Sequence, residues 1–484
     1  MVGHQPQLGR KLRTSNNFIT LAWLLVSVLS ELLGMAESHT IVETLPGFPG
    51  KLPFKLETGY VGVGEADDIQ LFYYFIESEG NPKKDPLLLW LTGGPGCSSL
   101  TGLVYEIGPL SFNYEDFDGN LPTFLLNPYS WTKFASIIFL DAPVGTGFSY
   151  ATTSQGYNVT DQIAAAQNYE FLRKWLLDHP KFMSKELYVG GDSYSGFIVP
   201  IIVQEIYNDN SVGRTPFMKL NGYLLGNPVT DPGRDANARV EYARGMALIS
   251  PELYEAVKRS CHGEYVNVDP ENVECLKDVA AVTMCLEKLY PAHILEPNCT
   301  LNSPKSKGLG WNQAFLEQNP TDILLSLSQP PALWCRPYTY VLSYLWCNDE
   351  CVQNALHIRK GTIKTWVRCN KTMSAYTSDV ISAVDYHRNL TKTGYRSLIY
   401  SGDHDLLVPY VGTLGWIRSL NMTLNDAWAP WLVDGQVAGY TMDFSKNHYS
   451  MTYATVKGGG HTAPEYKPKE CFAMAKRWFA HYPL

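Results

Sequence analysis

Short apolar runs bounded by glycine, proline and aspartate recur through the first part of this chain, and that rhythm restricts its fold more than any other feature. Leu71–Ile76, Leu87–Leu91, Ile137–Leu140, Leu187–Val189 and Tyr223–Leu225 have the length and the unbroken apolar character of buried strands. Between them, Asp161–Leu177 places Ala165, Tyr169, Leu172 and Leu176 at i, i+4, i+7 and i+11, one face of an amphipathic helix. Strand–helix alternation with short connections implies an α/β architecture, a mostly parallel central sheet flanked by helices. The pattern resumes with Leu398–Tyr400, Met451–Val456 and a closing helix over Pro468–His481.

The middle of the chain differs. Residues 231–385 are irregular and helical in pattern, and they hold eight of the ten cysteines (Cys261, Cys275, Cys285, Cys299, Cys335, Cys347, Cys351 and Cys369). They are expected to form a cap inserted between two parts of one core, residues 39–230 and 386–484. The polar stretch Ser303–Gly310 is expected to be the cap's most exposed loop. Cleavage there would leave two disulfide-linked chains.

The N-terminus carries Arg10, Lys11 and Arg13, then a mainly apolar run from Phe18 to Leu29, then small and polar residues around Gly34–Ser38. That layout is a signal peptide, residues 1–38, and the run is too short to span a bilayer comfortably. No stable membrane anchor is expected beyond it. Five N-x-[ST] sequons, at Asn158, Asn298, Asn370, Asn389 and Asn421, fit glycosylation in the secretory pathway. The cysteines lack C-x-x-C spacing and no histidine completes a zinc set, so they are expected to form disulfides and to hold no metal. A net charge of −8 without a basic stripe excludes nucleic acid as a partner.

The strongest local motif is Gly190-Gly191-Asp192-Ser193-Tyr194-Ser195-Gly196, which follows one predicted strand and precedes the apolar helical run Phe197–Ile206. A serine at such a junction is a nucleophile elbow, where the turn lifts Oγ out of the sheet and tolerates only small neighbours. The usual G-x-S-x-G would have glycine at position 195, where this chain has Ser195. An elbow serine in this fold is followed by an acid and then a histidine, each after a late strand. Leu398–Tyr400 leads into Ser401-Gly402-Asp403-His404-Asp405, and Met451–Val456 leads into Lys457-Gly458-Gly459-Gly460-His461. Asp405, deeper in its loop than Asp403, is the expected acid; Asp403 is expected to be hydrogen-bonded structure and His404 a surface residue. Ser193, Asp405 and His461 therefore form the candidate catalytic triad of an α/β-hydrolase fold. An oxyanion hole needs two backbone N–H groups, one from Tyr194 and one from the glycine-rich loop Thr92-Gly93-Gly94-Pro95-Gly96-Cys97-Ser98-Ser99. Those glycines match no phosphate-binding pattern, and no cofactor is expected.

With these residues together, the chain resembles the plant serine carboxypeptidase-like family over nearly its whole mature length. The likeness rests on Gly93–Ser99, Asp141-Ala142-Pro143-Val144-Gly145-Thr146-Gly147-Phe148-Ser149-Tyr150, the Ser193 elbow and the His461 segment. It implies Ser193, Asp405 and His461 as the triad, and the amides of Gly94 and Tyr194 as the oxyanion donors. It also implies disulfides from Cys97 to a cysteine before Asn348, most simply Cys347, and from Cys261 to Cys275. A Cys299–Cys335 bridge is a further expectation.

The family contains peptidases and acyltransferases. Its peptidases grip a C-terminal carboxylate through an asparagine before the paired glycines and a glutamate before the nucleophile. Here those positions hold Thr92 and Asp192, beside Gly93, while Glu106 is retained in Tyr105-Glu106-Ile107-Gly108-Pro109. Thr92 lacks the amide's two donors and Asp192 is one methylene short. These forms are similar to those of the family's acyltransferases. The resemblance thus implies transfer of an acyl group from a 1-O-acyl-glucose ester to an alcohol or amine acceptor, both small molecules, in a vacuolar or extracellular setting. A carboxypeptidase is the alternative, and an inactive binding module a third reading.

Overall fold

The computed structural model describes residues 1–3, 39–297 and 336–484, apart from 372, 374 and the side chain of Pro337. The expected signal peptide, Asn298, Cys299, Cys335 and the Ser303–Gly310 loop lie outside the described residues. Ile41–Leu484 pack as one unit, and Met1–Thr40 form another that is described only at its ends.

Ten strands carry the argument: β1 (Lys51–Val63), β2 (Ile69–Ile76), β3 (Leu87–Leu91), β4 (Ser136–Leu140), β5 (Leu187–Asp192), β6 (Leu220–Gly226), β7 (Arg396–Gly402), β8 (Thr423–Val433), β9 (Gln436–Lys446) and β10 (Tyr449–Val456). They lie in one sheet in the order β1-β2-β4-β3-β5-β6-β7-β10-β9-β8. The pairs from β4 through β10 are parallel, and the outer pairs are antiparallel. β3, β4 and β5 are buried along their whole length, which is why they read as unbroken apolar runs rather than alternating ones.

Helices cover both faces. α1 (Asp161–Asp178) starts at Thr160, whose side chain accepts from the Ile163 N–H. Ala165, Leu172 and Leu176 are buried beneath it, and Tyr169 packs at its edge. α2 (Ser195–Ser211) follows β5 directly and is apolar enough to be buried from Ser195 to Val203. α3 (Pro232–Gly245), α4 (Pro251–Cys261) and α5 (Val273–Leu286) follow β6 in the chain, before β7. The Cys261–Cys275 disulfide joins α4 to α5. α6 (Pro468–Phe479) closes the chain.

The hairpin β8–β9 does not follow from the sequence pattern. Its outer strand is exposed at nearly every position and contains Pro430, so no periodic apolar signal marks it. It is held by a second hairpin, in which β9 pairs antiparallel with β10 across the turn at Asn447 and His448.

Candidate active site

Ser193 sits where β5 ends and α2 begins, with φ of 53°, a left-handed value that a non-glycine residue adopts only when neighbours enforce it. Its N–H donates to the Gly226 carbonyl at 2.9 Å, and its carbonyl accepts from Val229 N at 2.9 Å. The elbow's crowding is measurable. A Cβ on Gly191 would stand 2.4 Å from the Leu91 carbonyl oxygen, and one on Gly196 would stand 2.4 Å from that of Val229. Ser195, in place of the usual glycine, is accommodated because its hydroxyl donates to the Leu91 carbonyl at 3.1 Å.

His461 Nε2 lies 2.7 Å from Ser193 Oγ, and Nδ1 lies 2.8 Å from Asp405 Oδ2. The three side chains named from sequence order are therefore brought into one hydrogen-bonded line. Asp405 is fully buried, and its carboxylate also accepts from Leu407 N at 2.8 Å and from Asn227 Nδ2 at 2.8 Å. Burial acts to lower the His461 pKa, but the charge and hydrogen bond of Asp405, helped by Asp192, outweigh it and leave the ring above its ordinary 6.5.

Two positioning features carry no local sequence signal. Asn227 follows β6, is fully buried with φ of 42°, and bridges Asp405 to the Gly402 N–H, which it accepts at 3.1 Å. A short segment after α5 clasps the loops that carry Asp405 and His461. The Pro291 carbonyl accepts from Leu406 N at 2.9 Å, the Ala292 carbonyl accepts from His461 N at 2.7 Å, and Ile294 N donates to the His404 carbonyl at 3.0 Å. Asp403 accepts from Gly458 N at 2.7 Å, tying the acid loop to the histidine loop. His404 is not the surface residue expected. Its ring stacks on His293 at 5.3 Å and bonds Asp403, because the clasp packs over it.

Gly94 has φ of 123° in a turn where a Cβ would meet Gly96 N at 2.8 Å. Gly93 is tighter still: a Cβ there would lie 2.6 Å from Ser193 Cβ and 2.7 Å from Tyr194 N. Glycine at 93 thus lets the loop touch the elbow. The Gly94 and Tyr194 amides donate to no acceptor among the described residues, which leaves both as candidate oxyanion donors.

The loop's anchor corrects one expectation. Cys97 is bonded to Cys369, not to Cys347. Cys97 and Cys369 face each other in an isolated antiparallel bridge, flanked by bonds from Ser98 N to the Arg368 carbonyl at 2.7 Å and from Asn370 N to the Gly96 carbonyl at 2.8 Å. Cys347 is instead a free thiol, fully buried in the apolar core at the end of the helix Val341–Cys347. The Asn370 sequon is also not a simple surface site: its side chain is half-buried and donates to the Gly145 carbonyl at 2.9 Å. Asn158, Asn389 and Asn421 are exposed.

A cavity of about 1000 Å³, as bounded by the described residues, opens over Ser193. One wall is aliphatic, with Val240 of α3 and Val279, Val282 and Leu286 of α5. The lining is also polar in part, with Thr92, Glu106, Asp192 and Arg368. Asp192 is turned to the oxyanion loop and accepts from Gly93 N at 3.1 Å. Burial pushes its carboxyl up to about 6, against the opposing pull of His461. Glu106 is 3% exposed, and neither of its carboxyl oxygens has a partner among the described residues. Burial, then the charges of Asp192 and Glu465, hold its pKa well above the carboxylate range. The buried Thr92 hydroxyl is likewise unpartnered. Arg368, absent from the motifs, lies over the Tyr340 ring at 4.0 Å and forms no ion pair among the described residues.

A parallel sheet with an elbow serine, a late acid and a late histidine defines the α/β-hydrolase class of serine-dependent enzymes. Within that class, the chain belongs to the serine carboxypeptidase family, whose model matches residues 46–481. It is 49% identical over 470 residues to serine carboxypeptidase-like 7 of Arabidopsis thaliana, covering 97% of this chain and 100% of that protein. Serine carboxypeptidase-like 13 of the same plant is 48% identical over 466 residues, covering 96% and 100%. A crystal structure of a prohormone-processing carboxypeptidase from Saccharomyces cerevisiae shares the fold with a TM-score of 0.70 at 19% identity, covering 92% of this chain and 96% of that one. Family and disulfides are consistent with a secretory-pathway protein. Among the described residues no helix is long and apolar enough to cross a membrane.

Proposed function

We propose that the chain is an acyltransferase that carries an acyl group from a 1-O-acyl-glucose ester, through an acyl-enzyme on Ser193, to an alcohol or amine acceptor. His461 Nε2 takes the Ser193 proton as Oγ attacks the ester carbonyl, and the amides of Gly94 and Tyr194 receive the developing oxyanion. The C–O bond to glucose then breaks, and His461 returns the proton to the departing sugar oxygen. In the second half, His461 deprotonates the acceptor as it attacks the acyl carbonyl, the acyl–Oγ bond breaks, and His461 returns the proton to Ser193 Oγ. Vacuole or cell exterior is the proposed setting.

The observation that carries this reading is the state of the two acids. Asp192 is engaged with the loop through Gly93 N, and Glu106 has no hydrogen-bond partner among the described residues. A peptidase needs the two carboxyls and an amide as one donor set around a substrate carboxylate. Here the set is divided and the amide is replaced by the single hydroxyl of Thr92. The second reading, release of C-terminal amino acids, is favoured by Arg368, a cation on the cavity wall. Incubation with acyl-glucose esters plus candidate acceptors, set against blocked dipeptides, decides between them. Ester-dependent acylation of the acceptor is expected; amino-acid release far faster than ester turnover would overturn the transferase reading.

A further inference from the structure

Asp161 opens α1, is fully buried, and lies outside the hydrogen-bonded line of Ser193, His461 and Asp405. Its carboxylate nevertheless accepts four hydrogen bonds. Oδ1 accepts from the Tyr194 hydroxyl at 2.8 Å and from the Tyr376 hydroxyl at 2.6 Å. Oδ2 accepts from Asp379 N at 2.9 Å and from Val380 N at 3.0 Å. An acid in a first helical turn complements the helix dipole. That role calls for no tyrosine, least of all the residue next to the nucleophile.

The Tyr194 amide is one of the two proposed oxyanion donors, and the Tyr194 side chain is held from several sides. The ring packs on Phe197 at 5.1 Å and on Tyr376 at 6.2 Å, while the hydroxyl is pinned by Asp161 and by Ser378 at 2.6 Å. Burial first, and the Asp161 carboxylate after it, push the Tyr194 pKa up to about 12, so the hydroxyl stays a donor. The other oxyanion amide is fixed from the same direction. The Gly94 loop is tied through Cys97 to Cys369, and the chain that continues from there reaches Asp161 at Tyr376, Asp379 and Val380. One carboxylate thus gathers the supports of both halves of the oxyanion hole.

We propose that Asp161 is a positioning residue for the oxyanion hole, acting through the Tyr194 hydroxyl to hold the Tyr194 amide at the reacting carbonyl oxygen. The proposal rests on the acyl-enzyme reading, because it assigns the Tyr194 amide that role. Loss of a complete oxyanion donor costs about a hundred- to a thousand-fold in kcat, and a donor that is present but loosely aimed costs less, about ten-fold.

The test uses Tyr194→Phe and Asp161→Asn, singly and combined, with Thr160→Ala as the comparison. Rates per active site are counted by fluorophosphonate titration of the full-length glycosylated protein. Tyr194→Phe keeps ring and fold, so it remains readable even where Asp161→Asn folds poorly. Each of the first two is expected to lower kcat about ten-fold with KM within about two-fold, and the double variant to be no slower than the slower single. Thr160→Ala removes the cap at the start of the same helix, the bond from Ile163 N, and no bond to Tyr194. It is expected to lower Tm and to leave kcat within about two-fold. Additive losses in the double variant, or an equal kcat loss in Thr160→Ala, would overturn the positioning role. Absence of labelling in the folded wild-type protein would instead overturn the acyl-enzyme reading, and the proposal with it.

Discussion

Asn227→Gly is the most informative single change at this site. Glycine accepts the φ of 42° found at position 227, so the backbone is kept while both side-chain bonds vanish. One of those bonds is made to Asp405, a fully buried carboxylate, and hydrogen bonds to charged groups contribute about 1.5–3 kcal/mol. Asp405 keeps the Leu407 amide and His461, so it remains partly satisfied but is freer to turn. If that energy is expressed in the imidazolium-forming transition state, kcat falls about ten- to hundred-fold, at 1.36 kcal/mol for each factor of ten. KM is expected to stay within about two-fold, because Asn227 does not line the cavity. The assay is steady-state turnover per fluorophosphonate-titrated site. A kcat loss smaller than about three-fold, or a loss carried by KM, would refute the claim that Asn227 acts through Asp405.

Three further outcomes follow from the same geometry. Since His461 must be neutral to accept the serine proton, and its pKa is raised, the acid limb of the kcat/KM–pH profile is expected to have a midpoint above 6.5. Asp405→Asn should move that limb down and lower kcat, and a wild-type midpoint below 6.5 would contradict the assignment. Burial pushes Asp141 and Asp192 up to about 6, and Asp235 and Glu205 up to about 7. These groups bind protons more tightly folded than unfolded, so their contribution to stability falls as pH rises from their ordinary values through these raised ones. Burial also holds His387 down to about 3 and lowers His293, which opposes the trend below 6.5. The four carboxyls are expected to prevail, giving a higher Tm at about pH 5.5 than at about pH 7.5 in thermal scans; the reverse order would refute it. Non-reducing peptide mapping is expected to recover Cys97 joined to Cys369 and Cys261 joined to Cys275, with Cys347 as a thiol. A Cys97–Cys347 peptide would refute the disulfide assignment.

What the sequence by itself determined is whatever depends on order along the chain. Buried parallel strands announce themselves as unbroken apolar runs, and the elbow is local because strand, tight turn and helix are contiguous. Asp405 and His461 were legible because each stands just beyond a late strand, and parallel strands deliver such loops to one edge of a sheet. Only the tertiary structure decided which groups meet from distant stretches. Cys97 finds Cys369 across 272 residues because two extended segments pair there, while Cys347 faces inward from a helix. Asn227 reaches Asp405, Arg368 enters the cavity, and Asp161 meets Tyr194, through loops whose spacing in sequence carries no periodic signal. Ser193 was recognised from its own turn together with the acid and histidine that follow it in order. The groups that aim its partners lie up to hundreds of residues away, because preorganising a charge in a buried site takes donors from every element that surrounds it.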